Sequence, residues 1–340
     1  YVLFVTFFPH LIAGPVLHHS EMMPQFLRDQ RRVPAALMLE GLLLFACGLA
    51  KKVLIADSVA PAVHHAFSLA EHHTLGLFDS WYGALAYTVQ IYFDFSGYSD
   101  MAIGLGLLFG IRLPLNFNSP YKSVSIIEFW RRWHMTLSRF LRDYLYIPLG
   151  GNRYGPTRRQ VNLMLTMLLG GLWHGAAWTF VVWGGLHGLY LQVNHAWRHA
   201  VSKSALLKNL VERFPRGART IGWGLTFVAV VTAWTVFRAE SFRGFLHMVQ
   251  GMFLGRQTID APLYDAHTAC YIALGLVLAF LARNSQELLT GAGERLMRAG
   301  ALRSTPFAQG AQAGALVFAI ALLTLISLSW GTNEFIYFNF

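Results

Sequence analysis

His174 sits in Gly170-Gly171-Leu172-Trp173-His174-Gly175, near the middle of a run from Val161 to Val193 that contains no Asp, Glu, Lys or Arg. Such a run is long enough to cross a bilayer, and a titratable group at membrane depth is costly unless something uses it. Imidazole, with an ordinary pKa of about 6.5, can take up and release a proton near neutral pH, so general-base chemistry is what this residue offers. The other reading of the same position is a core histidine bonded to a backbone carbonyl. His134 closes a second stretch, Glu128-Phe129-Trp130-Arg131-Arg132-Trp133-His134, which is basic and aromatic. Asp94 and Asp100 lie among aromatics in Gln90 to Asp100 and cannot both face lipid cheaply. Either can orient a histidine or hold a polar network; alternatively, with Ser96 and Ser99 beside them, they cap a helix end at the interface.

Leu149-Gly150-Gly151-Asn152-Arg153-Tyr154-Gly155-Pro156, followed by Arg158-Arg159, reads as a tight basic loop. Glycines permit close backbone approach and arginines pair well with phosphate, so a phosphate-bearing acyl carrier such as coenzyme A can dock on Arg153, Arg158 and Arg159. Anchoring by positive charge on the cytoplasmic side accounts for the same arginines without a ligand. His18-His19, His64-His65 and His72-His73 lie near span ends, and His195 and His199 are four apart beside Arg198. No converging set of ligands accompanies them, so no metal site is expected. Cys47 and Cys270 lie far apart inside apolar runs and read as small core residues rather than a disulfide or zinc framework.

The elements that position these groups follow from composition. Of 340 residues, 55% are hydrophobic and 13% charged, and the mean hydropathy is +0.42. That balance does not suit a soluble protein; it predicts an all-α, polytopic membrane protein. Expected spans are Ala35 to Ala50 around Glu40, Trp81 to Leu113, Val161 to Val193, Thr220 to Phe237, Thr268 to Ala282 and Ser304 to Asn333. The formal charge of +10 sits between apolar runs rather than on one soluble face, which favours the positive-inside pattern over nucleic-acid binding. Candidate cytoplasmic segments are Arg28 to Arg32, Lys51-Lys52, Arg131 to Arg159 and Arg198 to Arg219.

Tyr1 to Leu17 is apolar but broken by Pro9, Gly14 and Pro15, which predicts a bent or re-entrant segment. The chain starts at Tyr1 within that apolar run, so further spans are expected ahead of it. Ser125 and Glu128 have capping-box spacing. Ile126, Trp130, Trp133, Leu137, Leu141 and Tyr144 then give one apolar stripe, predicting an amphipathic helix that Pro148 ends and that carries His134 on its buried edge. Lys203 to Arg219 reads as a polar loop, and Ser241 to Gly255 as a short interfacial segment.

Five ordered strings, Phe8 to Pro15, Asp94 to Gly104, Glu128 to His134, Arg142 to Asn152 and Gly170 to Ala176, resemble the membrane-bound O-acyltransferase family, with the nearest likeness to its bacterial alginate O-acetyltransferase branch. The resemblance covers nearly the whole chain, the aromatic C-terminus included. It implies a helical bundle with re-entrant and amphipathic helices around a central tunnel. On this view residues 1–340 form one membrane domain that lacks the family's N-terminal spans. The family's histidine matches His174, a second polar motif position matches His134, and the acidic position after the Phe-Ser-Gly-Tyr-Ser string matches Asp100.

The implied activity is acetyl transfer from cytoplasmic acetyl-CoA across the bacterial inner membrane toward hydroxyls of an exopolysaccharide such as alginate, through the serine of a periplasmic partner. The donor is a substrate, and no bound cofactor is implied. His174 and His134 are the catalytic candidates, Asp100 and Asn152 the supporting polar network, and Arg153, Arg158 and Arg159 the donor-binding candidates. The expected partners are acyl-CoA, membrane lipid and the periplasmic acetyltransferase, with no nucleic acid. Two rivals remain open: acyl transfer to another envelope acceptor, such as peptidoglycan, cellulose or a D-alanylated polymer, and a non-enzymatic polysaccharide or lipid transporter.

Overall fold

Leucine, alanine and methionine stretches with few breakers favour helix, and in the computed structural model every regular element among the described residues is helical. The described residues are 2–10, 14–27, 33–259, 263–292 and 294–295. In chain order the α-helices are α1 (Val2–Val5), α2 (His19–Phe26), α3 (Ala35–Lys51), α4 (Asp57–Ala70), α5 (Leu77–Leu108), α6 (Ile126–Trp130) and α7 (Met135–Leu141). They continue with α8 (Gly155–His174), α9 (Trp178–Lys203), α10 (Ala205–Arg213), α11 (Pro215–Arg238), α12 (Phe242–Leu254), α13 (Ala266–Leu281) and α14 (Ser285–Leu289). Two π-helical turns, Lys52–Ala56 and Arg142–Tyr146, follow α3 and α7 directly.

Among the described residues α11 is the helix long and apolar enough to cross a bilayer by itself. The other expected spans fall short for identifiable reasons. The α3 and α13 helices have 17 and 16 residues, α5 carries Asp79, Asp94 and Asp100, and α8 and α9 carry arginine, lysine, histidine or asparagine. The expected span Ser304 to Asn333, the aromatic C-terminus, Arg28 to Arg32 and part of the re-entrant stretch lie outside the described residues. Next to that stretch, α1 is a single turn and Phe8–His10 a 3-10 turn.

The described residues form two compact units, one drawn from those before Val59, from Val89–Asn118 and from those after Phe280, the other from Val59–Thr88 and Ser119–Phe280. In the first unit, α3 crosses the second part of α5 through glycines. A Cβ on Gly48 would lie 2.4 Å from the Gly97 carbonyl oxygen, and one on Gly104 would lie 2.5 Å from that of Gly41. Gly97 therefore serves close helix approach rather than a bend, since α5 runs through it unbroken. Phe7, Met22, Leu44, Ile103 and Leu107 pack beside this crossing.

Three expectations are corrected. Asp94 and Asp100 do not cap a helix end; they lie within α5. Half-buried Lys51 and buried Lys52 are ion-paired with these two carboxylates. Lys203 to Arg219 is not a loop, because the Ser204 hydroxyl accepts from the Leu207 N–H to cap α10, and Pro215 opens α11 with its preset φ. Of the two cysteines read as core, Cys270 is exposed and Cys47 half-buried.

Candidate active site

The uncharged run Val161 to Val193 is two helices rather than one span, and the break falls at His174. Gly175, in extended conformation, ends α8, and Ala177 caps α9 three residues beyond the histidine. The two helices then pack backbone to backbone. A Cβ on Gly171 would lie 2.2 Å from the Phe180 carbonyl oxygen, and one on Gly184 would lie 2.2 Å from that of Met167. Only glycine fits both places, so the Gly-rich text that flanks the histidine is what closes the hairpin. His174 is thereby fixed at the C-terminal end of α8, buried, while Trp173 and Trp178 on either side are exposed.

The His174 ring stands edge-on to Trp183 and Phe237, each at 5.2 Å between centroids. Trp183 also meets His187 at 4.8 Å and stacks on Trp234 at 6.1 Å. Trp234 is anchored by donating its indole N–H to the Tyr121 hydroxyl at 3.1 Å. Aromatic walls of this kind exclude water and hold a histidine in one orientation by packing.

His134 arrives by a different route from the one the sequence predicts. The expected amphipathic helix opens as foreseen, with the Ser125 hydroxyl accepting from the Glu128 N–H at 3.2 Å and the Glu128 carboxylate accepting from the Val124 N–H at 3.0 Å. It stops after Trp130, however, and a new helix, α7, starts at Met135. Between them His134 adopts φ 42°, ψ 54°, the left-handed region that costs a residue with a Cβ about 1–2 kcal/mol. Trp133 explains the break: it stacks on Phe129 at 5.7 Å and packs on Trp234 at 4.8 Å, holding the chain where α6 would otherwise continue. His134 is buried and within electrostatic range of His174, so the structure brings the two catalytic candidates together.

His187 carries no motif of its own in the sequence. It is completely buried, lies flat against Phe129 at 6.1 Å, and its Nδ1 accepts from the Trp130 indole N–H at 3.3 Å. The available signal was spacing, since Trp183 and His187 are four apart on one face of α9. Their partner Trp130 is 57 residues away, which no local pattern announces.

The basic loop forms a separate cluster. Gly151, at φ +53°, turns the chain so that its carbonyl accepts from the buried Asn162 amide at 3.1 Å. Exposed Asn152 accepts from the Tyr146 hydroxyl. Arg153 and Arg158 are exposed and Arg159 half-buried, and the two latter sit in the opening of α8. Burial pushes the Tyr146 phenol up, while the Arg159 guanidinium pulls it the other way. His195 lies beyond the uncharged run, in the basic end of α9. Burial holds its imidazole below the ordinary value, and Arg159 and Arg198 push it further in the same direction.

Asp100 belongs to the first unit, where it is held by the Lys51 ammonium at 2.6 Å, the Ser285 hydroxyl and the Gln286 amide at 3.0 Å. Asp94 and Asp57 share Lys52 at 2.9 and 2.8 Å. Among the described residues no cluster of three His, Cys, Asp or Glu side chains has the arrangement to hold a metal ion.

Residues 1–229 match the sequence pattern of the membrane-bound O-acyltransferase family. The chain is 43% identical over 310 residues to a peptidoglycan O-acetyltransferase of Helicobacter pylori, covering 85% of this chain and 57% of that protein. It is 49% identical over 279 residues to a protein of Azotobacter vinelandii named probable alginate O-acetylase AlgI, covering 82% and 52%. A teichoic acid D-alanyltransferase of Streptococcus thermophilus is 34% identical over 164 residues, covering 44% and 39%. The chain spans about half the length of the curated relatives it matches.

Proposed function

The chain belongs to the membrane-bound O-acyltransferase family, and from that premise we propose that it transfers an acetyl group from cytoplasmic acetyl-CoA to hydroxyls of an extracytoplasmic polysaccharide such as alginate. The reading places it as a multi-pass protein in a bacterial inner membrane, its helices enclosing a tunnel, and routes the acetyl group through the serine of a periplasmic partner. The observation that carries it is the burial of both His174 and His134 within electrostatic range of each other, one fixed at a glycine-closed hairpin and the other held in a strained backbone conformation. Strain of this kind persists where the surroundings over-determine it, as they do at working sites.

The chemistry asks little more of the chain. A thioester is already activated, so the chain's task is to position donor and acceptor and remove one proton. His174 takes the proton of the accepting hydroxyl as its oxygen bonds to the thioester carbon. The carbon–sulfur bond then breaks, the CoA thiolate leaves, and the proton passes to it. His134 orients the acceptor or relays the proton. Arg153, Arg158 and Arg159 bind the donor's phosphates, an anion being favoured further by the positive end of the α8 dipole. Asn152 adds a polar group to the donor side of this cluster, and Asp100 holds its own helix in the first unit through Lys51.

A peptidoglycan acceptor is the second reading, favoured by the Helicobacter pylori relative that covers 85% of the chain. The test supplies labelled acetyl-CoA to the full-length protein with its partner and with each polymer separately. Label in alginate supports the first reading, and label in peptidoglycan alone replaces it with the second. Polymer movement without release of CoA thiol would show a transporter instead.

A further inference from the structure

Other indoles in this protein, half-buried or buried, find acceptors. Trp81 donates to the Met252 carbonyl at 2.9 Å, Trp223 to the Tyr121 carbonyl at 2.9 Å, Trp234 to the Tyr121 hydroxyl, and Trp130 to His187 Nδ1. Trp183 is buried more deeply than all of these but Trp234, yet its Nε1 has no partner. The ring it touches, His187, presents the same situation. An indole N–H only donates, so Nδ1 of His187 must be the accepting nitrogen, which makes the imidazole neutral with its hydrogen on Nε2. That Nε2 is also buried and without a partner. Two unmatched N–H donors thus belong to rings 4.8 Å apart, and one of those rings stands 5.2 Å from His174. A buried donor left unmatched costs about 1–3 kcal/mol, and here the two rings that carry such donors pack on each other, one of them also against the candidate base.

We infer that Trp183 Nε1–H and His187 Nε2–H form a two-donor pocket for the acyl carbonyl oxygen, stabilising the negative charge it acquires during transfer. The inference rests on the acyl-transfer reading above and adds the group that receives the oxyanion. When the hydroxyl oxygen bonds to the acyl carbon, the carbonyl pair of electrons moves onto oxygen, and two neutral donors in a dry aromatic setting stabilise that charge without taking a proton. When the carbon–sulfur bond breaks, the pair returns to re-form the carbonyl and the donors keep their hydrogens. Trp130 is the positioning residue: by occupying Nδ1 it fixes the tautomer that points a hydrogen from Nε2.

The test uses the full-length protein in membranes with acetyl-CoA, the partner and its polymer. Trp183→Phe keeps a six-membered aromatic ring and removes the N–H together with the rest of the five-membered ring. It is expected to lower kcat per folded molecule by about 10²-fold, the effect of losing one such donor elsewhere, with KM for acetyl-CoA little changed and only the modest fall in melting temperature that the smaller ring brings. His187→Leu should lose as much, and His187→Gln, which retains an N–H near the same place, should recover part of it. Normal kcat in Trp183→Phe, with His174→Ala inactive, overturns the donor pair and leaves the acyl-transfer reading standing. A fall in melting temperature that accounts for all lost activity in both His187 variants, with Trp183→Phe unaffected, makes the cluster purely structural and also overturns it. A wild-type chain that releases no CoA thiol overturns both readings together.

Discussion

The two units solve the problem of buried polarity in opposite ways. In the first, charges are set against charges: Lys51 with Asp100, Lys52 with Asp57 and Asp94, and Ser285 and Gln286 donating to Asp100 as well. In the second, the central polar groups are uncharged rings, His174, His187 and Trp183, set among aromatics, and two N–H donors lack partners. A matched network has spent its hydrogen-bonding capacity on the fold, whereas an unmatched one still has capacity for a ligand. The π-helical turn at Lys52–Ala56 belongs to the first type, for it places consecutive lysines against different carboxylates across α5.

That contrast breaks most sharply under paired substitutions. His174→Ala should lower acetyl transfer about 10²- to 10⁴-fold, the range for a general base, with the unfolding midpoint nearly unchanged. A variant that transfers acetyl at the normal rate removes His174 from the chemistry. Lys52→Met should do the reverse. It leaves buried Asp94 and half-buried Asp57 without their cation, a loss of about 3–5 kcal/mol of stability, while transfer per folded molecule stays the same. Adding Asp94→Leu to it should recover much of the stability. If Lys52→Met instead reduced transfer by properly folded protein, the ion-paired unit would have to join the site.

What was legible in the sequence divides along the same line. His174 stood out because a titratable group in an uncharged run is rare, and the Ser125–Glu128 cap was legible because its partners are three residues apart. The partners of Asp100 were not, since Ser285 lies 185 residues away and Lys51 49. The break at His174 was hidden because Gly175, Ala176 and Ala177 carry neither charge nor proline. Only the clash that a Cβ on Gly171 or Gly184 would make shows why the chain must turn there. Helix α10 was missed because its polarity outweighed the cap at Ser204 and the proline after its end. The apolar stripe through α6 and α7 was real at Ile126, Trp133 and Leu137, all buried, but periodicity does not show that a stacked tryptophan interrupts the helix between them.

That interruption supplies a smaller test. His134→Ala and His134→Gly both remove the imidazole, and each should reduce transfer to the same extent. They should differ in stability, with glycine favoured by about 1–2 kcal/mol because only alanine keeps a Cβ in the left-handed region. Denaturant unfolding of the two variants measures the difference. Equal stability would mean that the backbone at this position carries no strain, and the reading of His134 as a residue held in place for work would lose its structural support.

The smallest effect concerns the basic cluster, which resembles the first unit in charge but the second in being unmatched, because Arg159 Nε is buried without a partner. His195 reports on it. Burial, with Arg159 and Arg198 adding to it, holds the folded imidazole below its ordinary value, so the unfolded chain binds the proton more readily. Stability from this group is therefore full above the unfolded value of about 6.5 and declines as pH falls through and below it. A donor phosphate seated on Arg158 and Arg159 would offset their charge, raise the imidazole toward the unfolded value and shrink that decline. Melting the full-length protein at about pH 7.5 and about pH 5.5, on either side of the ordinary histidine value, should show a smaller acid loss with acetyl-CoA than without. Arg159→Gln should shrink the acid loss by itself and abolish the further effect of the donor. An acid loss that ignores acetyl-CoA in wild type would separate these arginines from the donor and leave them as membrane-surface anchors.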